Sequence, residues 1–271
     1  MRSQTIFWDQ LSPLLLHIED IFGINLNNLG PIIQLIKSPV LVIGAGQGLL
    51  VEELRQKGYS AEGVDFSPEM VAYAEKRRGI KLIQANANDM PFQDNQFKTS
   101  IVATGVIDFM DNTDQIGAII NEVKRVTDNQ GEIFIAFISH TPQGEEFYRY
   151  TGAISDDDRL SIANIFKFIF TPGEVIADIR KDPSKSTIGL ILRFIKSYMA
   201  MPKKARARLK SVRELRNKNK KGELGDIRGL LDNLPKPVPY RKKEQIDELF
   251  KALKVPLRNI FILGNCNIVQ L

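Results

Sequence analysis

The stretch Val40-Leu41-Val42-Ile43-Gly44-Ala45-Gly46-Gln47-Gly48-Leu49-Leu50 decides how this chain of 271 residues is read. Its four leading apolar residues predict a buried parallel strand, and three alternating glycines stop that strand abruptly. Gly44 and Gly46 lack the Cβ that would obstruct a tight turn and a close approach of backbone to a ligand. From Leu49 to Gln56 the pattern predicts a helix whose N-terminus faces that ligand, which suits a nucleotide-like group. A dinucleotide fingerprint, G-x-G-x-x-G/A, needs Gly or Ala at position 49, where this chain has Leu49. The spacing here is G-x-G-x-G. Glycine-rich turns of this sort also arise for packing alone, so the residues that follow carry the decision.

Tyr59-Ser60-Ala61-Glu62-Gly63-Val64-Asp65 predicts a second strand that ends in an acid, about 20 residues after the first glycines. A carboxylate there can accept hydrogen bonds from both hydroxyls of a ribose. The competing role for Asp65 is a turn or cap, because Ser67-Pro68-Glu69 opens the next helix. A third short strand from Ile80 enters the polar segment Asn86-Ala87-Asn88-Asp89-Met90-Pro91-Phe92-Gln93-Asp94-Asn95-Gln96-Phe97. A fourth strand is predicted over 99–105. A helix over 116–126 follows, with Ile116, Ile119, Ile120, Val123 and Val126 on one face; Asn129-Gln130-Gly131 then turns into a fifth strand over 132–138.

With these residues in place, the chain resembles the class I S-adenosylmethionine-dependent methyltransferases, and among them the ubiquinone/menaquinone-biosynthesis-like group. The glycine turn is similar to their motif I. The segment 86–97 is similar to their "D-A-x-x-L-P-F-x-D-x-x-F-D", and Glu122-Val123-Lys124-Arg125-Val126-Thr127-Asp128-Asn129-Gln130-Gly131 to their "E-x-x-R-V-L-x-P-G-G". The likeness runs over 40–138. It implies an α/β fold: a Rossmann-like, doubly wound seven-stranded sheet with an antiparallel final strand. It also implies S-adenosyl-L-methionine as cofactor, held at Gly44, Ala45, Gly46 and Gly48, with Asp65 on the ribose. Asn86 falls where the family has an Asp holding the adenine amino group, and Ala87 where a backbone amide meets the ring. Phe66 and Met70 look like the pair that sandwiches adenine, with ordinary helix core as the other reading of Met70; Thr104, at the end of the fourth strand, is counted with them. The chain departs from the pattern at four positions. Val42 stands where relatives carry an acid two residues before the first glycine, which removes one electrostatic contact to the methionine end of the cofactor. Asn86 replaces the Asp, Lys98 replaces the Asp of "F-D", and Asp108 stands where many relatives have His.

A hydrophobic content of 43% is enough for a sizeable core, as one large domain or a domain plus an insert. Cys266 is the single cysteine and His17 and His140 are isolated, so neither a disulfide nor a metal site is expected. Asp9, His17, Glu19 and Asp20 interrupt any secretory pattern, and long uncharged apolar runs are missing, which makes the cytoplasm the expected compartment.

The charge is unevenly spread. Residues 139–256 carry 25 Lys and Arg against 15 Asp and Glu, and the remainder 12 against 17. The helix and strand pair that should close the core are found only at the end, as a helix over 245–254 and strands over 258–263 and 266–271 around Gly264-Asn265. The expected organisation is therefore a core of 1–138 and 245–271, with 1–30 as an N-terminal helical cap. Residues 139–244 form a mostly helical, basic insert between the fifth strand and the last helix, a substrate-recognition lid above the carboxyl ends of the strands. Ile162, Ile165, Phe166 and Ile169, and then Ile188, Ile191, Leu192, Ile195, Tyr198 and Met199, define apolar helix faces. These serve as packed cap helices, as a lipophilic substrate pocket or as a membrane contact, in that order. The run 203–221 holds ten Lys and Arg against Glu214 alone. A solvated face is its first reading, an anionic membrane surface its second. Nucleic acid ranks behind both, because no Phe, Tyr or Trp lies between Pro202 and Gly222 to stack a base.

The resemblance implies methyl transfer to a small-molecule acceptor, here a small, apolar or aromatic one methylated at oxygen or carbon. No Asn-Pro-Pro-Tyr-like segment follows the fourth strand to suit exocyclic or amide nitrogen. A base is needed only when the acceptor loses a proton; His140 and Asp108 are the catalytic candidates, with Tyr148 and Tyr150 as orienting hydroxyls. The alternative is a non-catalytic protein of the same fold that docks on membrane or RNA through its basic insert. A nicotinamide-dependent oxidoreductase is disfavoured by Leu49 and by Met90-Pro91-Phe92.

Overall fold

The computed structural model describes residues 26, 29–200, 213, 216–222, 237–263 and 266–271. His17, the Gly264-Asn265 turn, nearly all of the expected cap over 1–30 and most of the 203–221 run lie outside the described residues. The described chain divides into two compact units, one holding 139 and the residues before it together with 241–271, the other spanning 140–240.

In the first unit, β1 (Val40–Ile43) is buried at every position. It leads through the glycine turn into α1 (Leu49–Gln56), which buries Leu50, Val51 and Leu54. After β2 (Ala61–Asp65), helix α2 (Pro68–Arg78) starts where the Ser67 hydroxyl accepts the Met70 N–H at 3.2 Å, and it stops at left-handed Gly79. Next come β3 (Ile83–Gln84) and β4 (Phe97–Val102), then α3 (Thr113–Val126), capped by the Asn112 side chain and burying all five residues of its expected apolar face. β5 (Thr127–Ile138) follows.

The second unit contains α4 (Pro142–Tyr150), β6 (Arg159–Leu160), α5 (Ile162–Phe170), α6 (Pro172–Lys181), α7 (Thr187–Ala200) and β7 (Val238–Pro239). β6 and β7 pair antiparallel, and Phe147, Val175, Ile179 and Leu190 form a small core joining α4, α6 and α7. The chain then returns to the first unit as α8 (Lys243–Ala252), β8 (Asn259–Ile262) and β9 (Cys266–Gln270).

The seven strands lie in the order β3-β2-β1-β4-β5-β9-β8, parallel except for β9, which runs antiparallel to both β5 and β8. The direction of strand addition reverses between β1 and β4, the place where open α/β sheets leave a ligand crevice. Both faces of the sheet are covered. Val40, Val42, Ile101 and Phe134 pack with Leu50, Val51 and Leu54 on one side, while Leu41, Ile43 and Phe137 pack with Ile116, Ile120, Ile246 and Phe250 on the other. This two-sided burial explains why β1 reads as continuous rather than alternating apolar sequence.

Several boundaries differ from expectation: α3 begins at Thr113 instead of 116, α8 spans Lys243–Ala252 instead of 245–254, and β4 begins at Phe97 instead of 99. Two further differences alter the path of the backbone. β5 begins at Thr127, so Asn129-Gln130-Gly131 is an irregularity inside the strand instead of a turn before it; its register against β4 shifts between Phe97 and Thr99. A Cβ on Gly131 would lie 2.8 Å from the Asp128 carbonyl oxygen and 2.9 Å from that of Lys98, so only glycine lets the backbones approach at this bulge. β4 ends at Val102, before the sequence-predicted Gly105, which adopts a left-handed φ of 88° in the loop beyond.

Candidate functional site

The glycine turn hangs from the end of β2. The N–H groups of Gly44 and Ala45 both donate to the Val64 carbonyl, at 3.0 and 2.9 Å. Although Gly44 and Gly46 both take positive φ, 71° and 55°, they do so for different reasons. A Cβ on Gly44 would sit 2.2 Å from Val106 Cγ2, whereas one on Gly46 would meet no atom within 4 Å. Gly44 thus serves packing against the loop after β4, and Gly46 keeps its backbone against open space. Gly48, the left-handed N-cap of α1, lies over Ala74 and Ile80.

Asp65 is 6% exposed and its orientation is fixed by backbone: Gly46 N–H donates to Oδ2 at 2.8 Å and Ser67 N–H to Oδ1 at 3.0 Å. The acid at the end of β2 therefore meets the glycine turn directly. Phe66 beside it is half-buried, while Met70 is fully buried. Beyond β3, Ala85 N–H donates to the Asp65 carbonyl; Asn86 is exposed and bridges to Asp89 across the turn at 87–88, and Ala87 is half-buried against the Leu41 side of the core. Thr104 is half-buried in the loop after β4.

A second set of contacts fixes the 90–94 segment. Glu122 Oε1 accepts the Met90 N–H at 2.7 Å. Arg125 donates to Glu122, to Asp94 at 2.8 Å, and to the carbonyls of Phe92 and Met90 at 2.8 and 3.0 Å. The Arg125 bonds hold the Glu122 carboxyl below its usual range. The acid and arginine spaced three apart on α3 thus clamp the loop that carries Met90-Pro91-Phe92.

Asp108 is fully buried and both its oxygens are occupied. Oδ2 accepts from Gly105 N–H at 2.7 Å and Oδ1 from Ile138 N–H at 2.9 Å, which links the loop after β4 to the end of β5. Burial raises its pKa, opposed by these N–H groups and by Arg241. The Arg241 guanidinium itself donates to the carbonyls of Ile107, Asp108 and Met110. Burial, together with Asp108, pushes the Cys266 thiol up to about 12, so it stays protonated near pH 7.

In the other unit, His140 lies between two phenols. Its ring is 4.4 Å from that of Tyr148 and stacks on Tyr240 at 5.6 Å. Nε2 is buried with no hydrogen-bond partner among the described residues. Burial lowers the imidazole pKa to about 4, with Glu145 pulling weakly the other way, so the ring is neutral near pH 7. Burial also raises the Tyr148 phenol. The Tyr150 hydroxyl is engaged with the Ser186 backbone, and the Arg193 guanidinium lies 4.4 Å over its ring.

Sequence reasoning missed Gly63, Tyr240 and Arg241. A Cβ on Gly63 would meet Leu82, Val51 and Ala45 at 2.7 to 2.9 Å, so a helix and the glycine turn press directly on β2 there. An isolated glycine inside a predicted strand was the available signal. Tyr240 and Arg241 had none, since the residues they meet are about a hundred or more positions away in sequence.

The strand order, the glycine turn and the acid that meets it define a class I methyltransferase domain. Residues 41–135 match the family described as Methyltransferase domain, so this segment is of the S-adenosylmethionine-dependent kind. The uncharacterized protein MJ1123 of Methanocaldococcus jannaschii is 40% identical over 98 residues, 36% of this chain and 43% of that protein. A demethylmenaquinone methyltransferase of Paenarthrobacter aurescens is 32% identical over 102 residues, 37% of this chain and 39% of that protein. The chain thus spans less than half the length of these curated relatives. The PH0226 protein of Pyrococcus horikoshii, solved by crystallography, shares the fold with a TM-score of 0.50 at 16% identity, over 90% of this chain and 87% of that one. The open face of Gly46 and the backbone-oriented Asp65 fit a cofactor with a ribose. Val42 faces the apolar core beside α1, so the acid that relatives place two residues before the first glycine is absent.

Proposed function

We propose that this chain transfers a methyl group from S-adenosylmethionine to an oxygen or carbon of a small apolar or aromatic acceptor in the cytoplasm. The observation that carries this reading is the Gly46 N–H bound to the Asp65 carboxylate beside backbone that faces open space. When bound, the cofactor supplies a methyl group already activated on a positively charged sulfur. Asp65 accepts from the ribose hydroxyls. Phe66 flanks the adenine over a floor that includes Met70, Asn86 and Ala87 meet its edge, and Gly44, Ala45, Gly48 and Thr104 shape the cradle. Alignment of the acceptor with the methyl group and exclusion of water favour the displacement.

His140 takes the acceptor's proton in this reading: it is neutral at working pH and its buried Nε2 has no hydrogen-bond partner among the described residues. Asp108 acts as a brace, because both its oxygens already hold backbone N–H groups across two strand ends. The named acceptor of one relative, a demethylmenaquinone, is of the class proposed. A purely docking protein would leave the joined turn and acid without a purpose.

The test is methyl transfer from labelled S-adenosylmethionine to a panel of apolar phenols, quinols and amines, read by mass spectrometry. Products are expected with the hydroxyl and ring-carbon acceptors. On hydroxyl acceptors His140→Ala should lower kcat about 100-fold or more while leaving the KM for cofactor unchanged. Transfer to amines alone, or an unaffected variant, would overturn the reading.

A further inference from the structure

Helix α7 turns an apolar face to solvent. Ile188, Ile191, Leu192, Ile195 and Met199 recur at helical spacing on one stripe, and they are 71, 52, 54, 49 and 63% exposed. Only Leu190 and Ser197 of this helix are buried. Single exposed aliphatic residues are ordinary on protein surfaces, but a contiguous stripe marks a contact surface.

The charge on this helix and in the sequence that follows it identifies the partner. Helix α7 carries an exposed Lys196 and no acid, its Arg193 being paired with Glu146 at 3.1 Å, and the sequence continues into 203–221, so 187–221 holds twelve Lys and Arg against Glu214 alone. The described part of that run is tied to the same unit. Arg216 donates to the carbonyls of Phe168 and Ile169 and lies 5.9 Å over the Phe168 ring, which in turn lies 6.2 Å from the Phe194 ring of α7. Arg213 and Lys220 are exposed nearby in sequence.

We propose that α7 and the basic run together dock on anionic lipid bilayers. The aliphatic stripe enters the boundary between headgroups and acyl chains, and the cations meet anionic headgroups. A second copy of this chain is a poor occupant, since it carries the same excess of positive charge over 187–221, which opposes pairing. RNA would use the charge but not the aliphatic stripe, and the run offers it no aromatic platform.

The experiment is co-sedimentation of the full chain with vesicles of phosphatidylcholine alone or with roughly 30% phosphatidylserine. Retention is expected on the anionic vesicles, about tenfold weaker on the neutral ones, and reduced by salt. The double substitution Ile191→Asp, Ile195→Asp should lower retention about tenfold or more with an unchanged circular dichroism spectrum, because both sites are already in water. Replacing Lys203, Lys204, Arg206, Arg208 and Lys210 by Gln should lower it independently. No retention of the unaltered chain, or equal retention of the double variant, would overturn the proposal. So would light scattering that shows a dimer split by the double substitution, or RNA binding without vesicle binding. None of these outcomes depends on whether the chain transfers methyl groups.

Discussion

The sheet unit and the 140–240 unit differ in how their polar groups are used. In the sheet unit, the buried Asp65 and Asp108 and the partly buried Glu122 are bound to backbone N–H groups at strand and helix ends, which fixes the loops around the crevice. In the other unit, His140 keeps a buried nitrogen without a hydrogen-bond partner among the described residues, and α7 leaves an aliphatic stripe exposed. Groups bound to backbone hold a shape, and a carboxylate oxygen with one N–H partner keeps a further lone pair, so Asp65 can hold the glycine turn and still accept from a ribose. Groups that lack such partners are available for something else, and the proposals for acceptor and membrane both rest on the second unit for that reason.

Substitutions can break this contrast. Gly44→Ala should have the largest effect: a left-handed backbone and a Cβ 2.2 Å from Val106 together cost about 4 kcal/mol of stability in urea unfolding. His140 should give a pH-dependent effect of about 3 kcal/mol. Its folded pKa is about 4, below the ordinary 6.5, so between those values the unfolded chain binds a proton that the folded chain does not. Stability contributed by the neutral ring is therefore present above pH 6.5 and lost as pH falls toward 4. The difference in stability between the unaltered chain and His140→Phe, measured across that window, should show this slope. Arg125→Ala should cost about 2 kcal/mol, discounted for the partial exposure of its side chain, and should speed amide exchange in 90–94. Gly46→Ala meets no atom and should cost only about 1 kcal/mol, yet weaken S-adenosylhomocysteine more than Gly44→Ala does per unit of lost stability. The α7 double aspartate should be smallest, within about 0.5 kcal/mol.

Most of the sheet unit was legible because its signals are local. The helix over 49–56 was bounded by its glycine, α2 by Ser67-Pro68 and Gly79, and α3 by its spacing of apolar residues. The likeness of 86–97 and 122–131 to one family became physical once Arg125 was seen to clamp 90–94. What stayed hidden depends on distant chain. The Arg241 brace joins residues more than 130 positions apart, and the stacking of Tyr240 on His140 is similarly remote. The bulge at Gly131 read as a turn because its residues favour turns. For α7, periodicity revealed an apolar face but could not say whether anything covers it, since coverage is a property of the neighbours.

The central claim is that the glycine turn and Asp65 form one cofactor cradle, and titration calorimetry with S-adenosylhomocysteine tests it most directly. The unaltered chain should bind with one site, and NAD should give no heat. Asp65→Ala should weaken binding about 100-fold while leaving the fold intact by circular dichroism. Binding of NAD in place of S-adenosylhomocysteine, or an affinity unchanged by Asp65→Ala, would contradict the account.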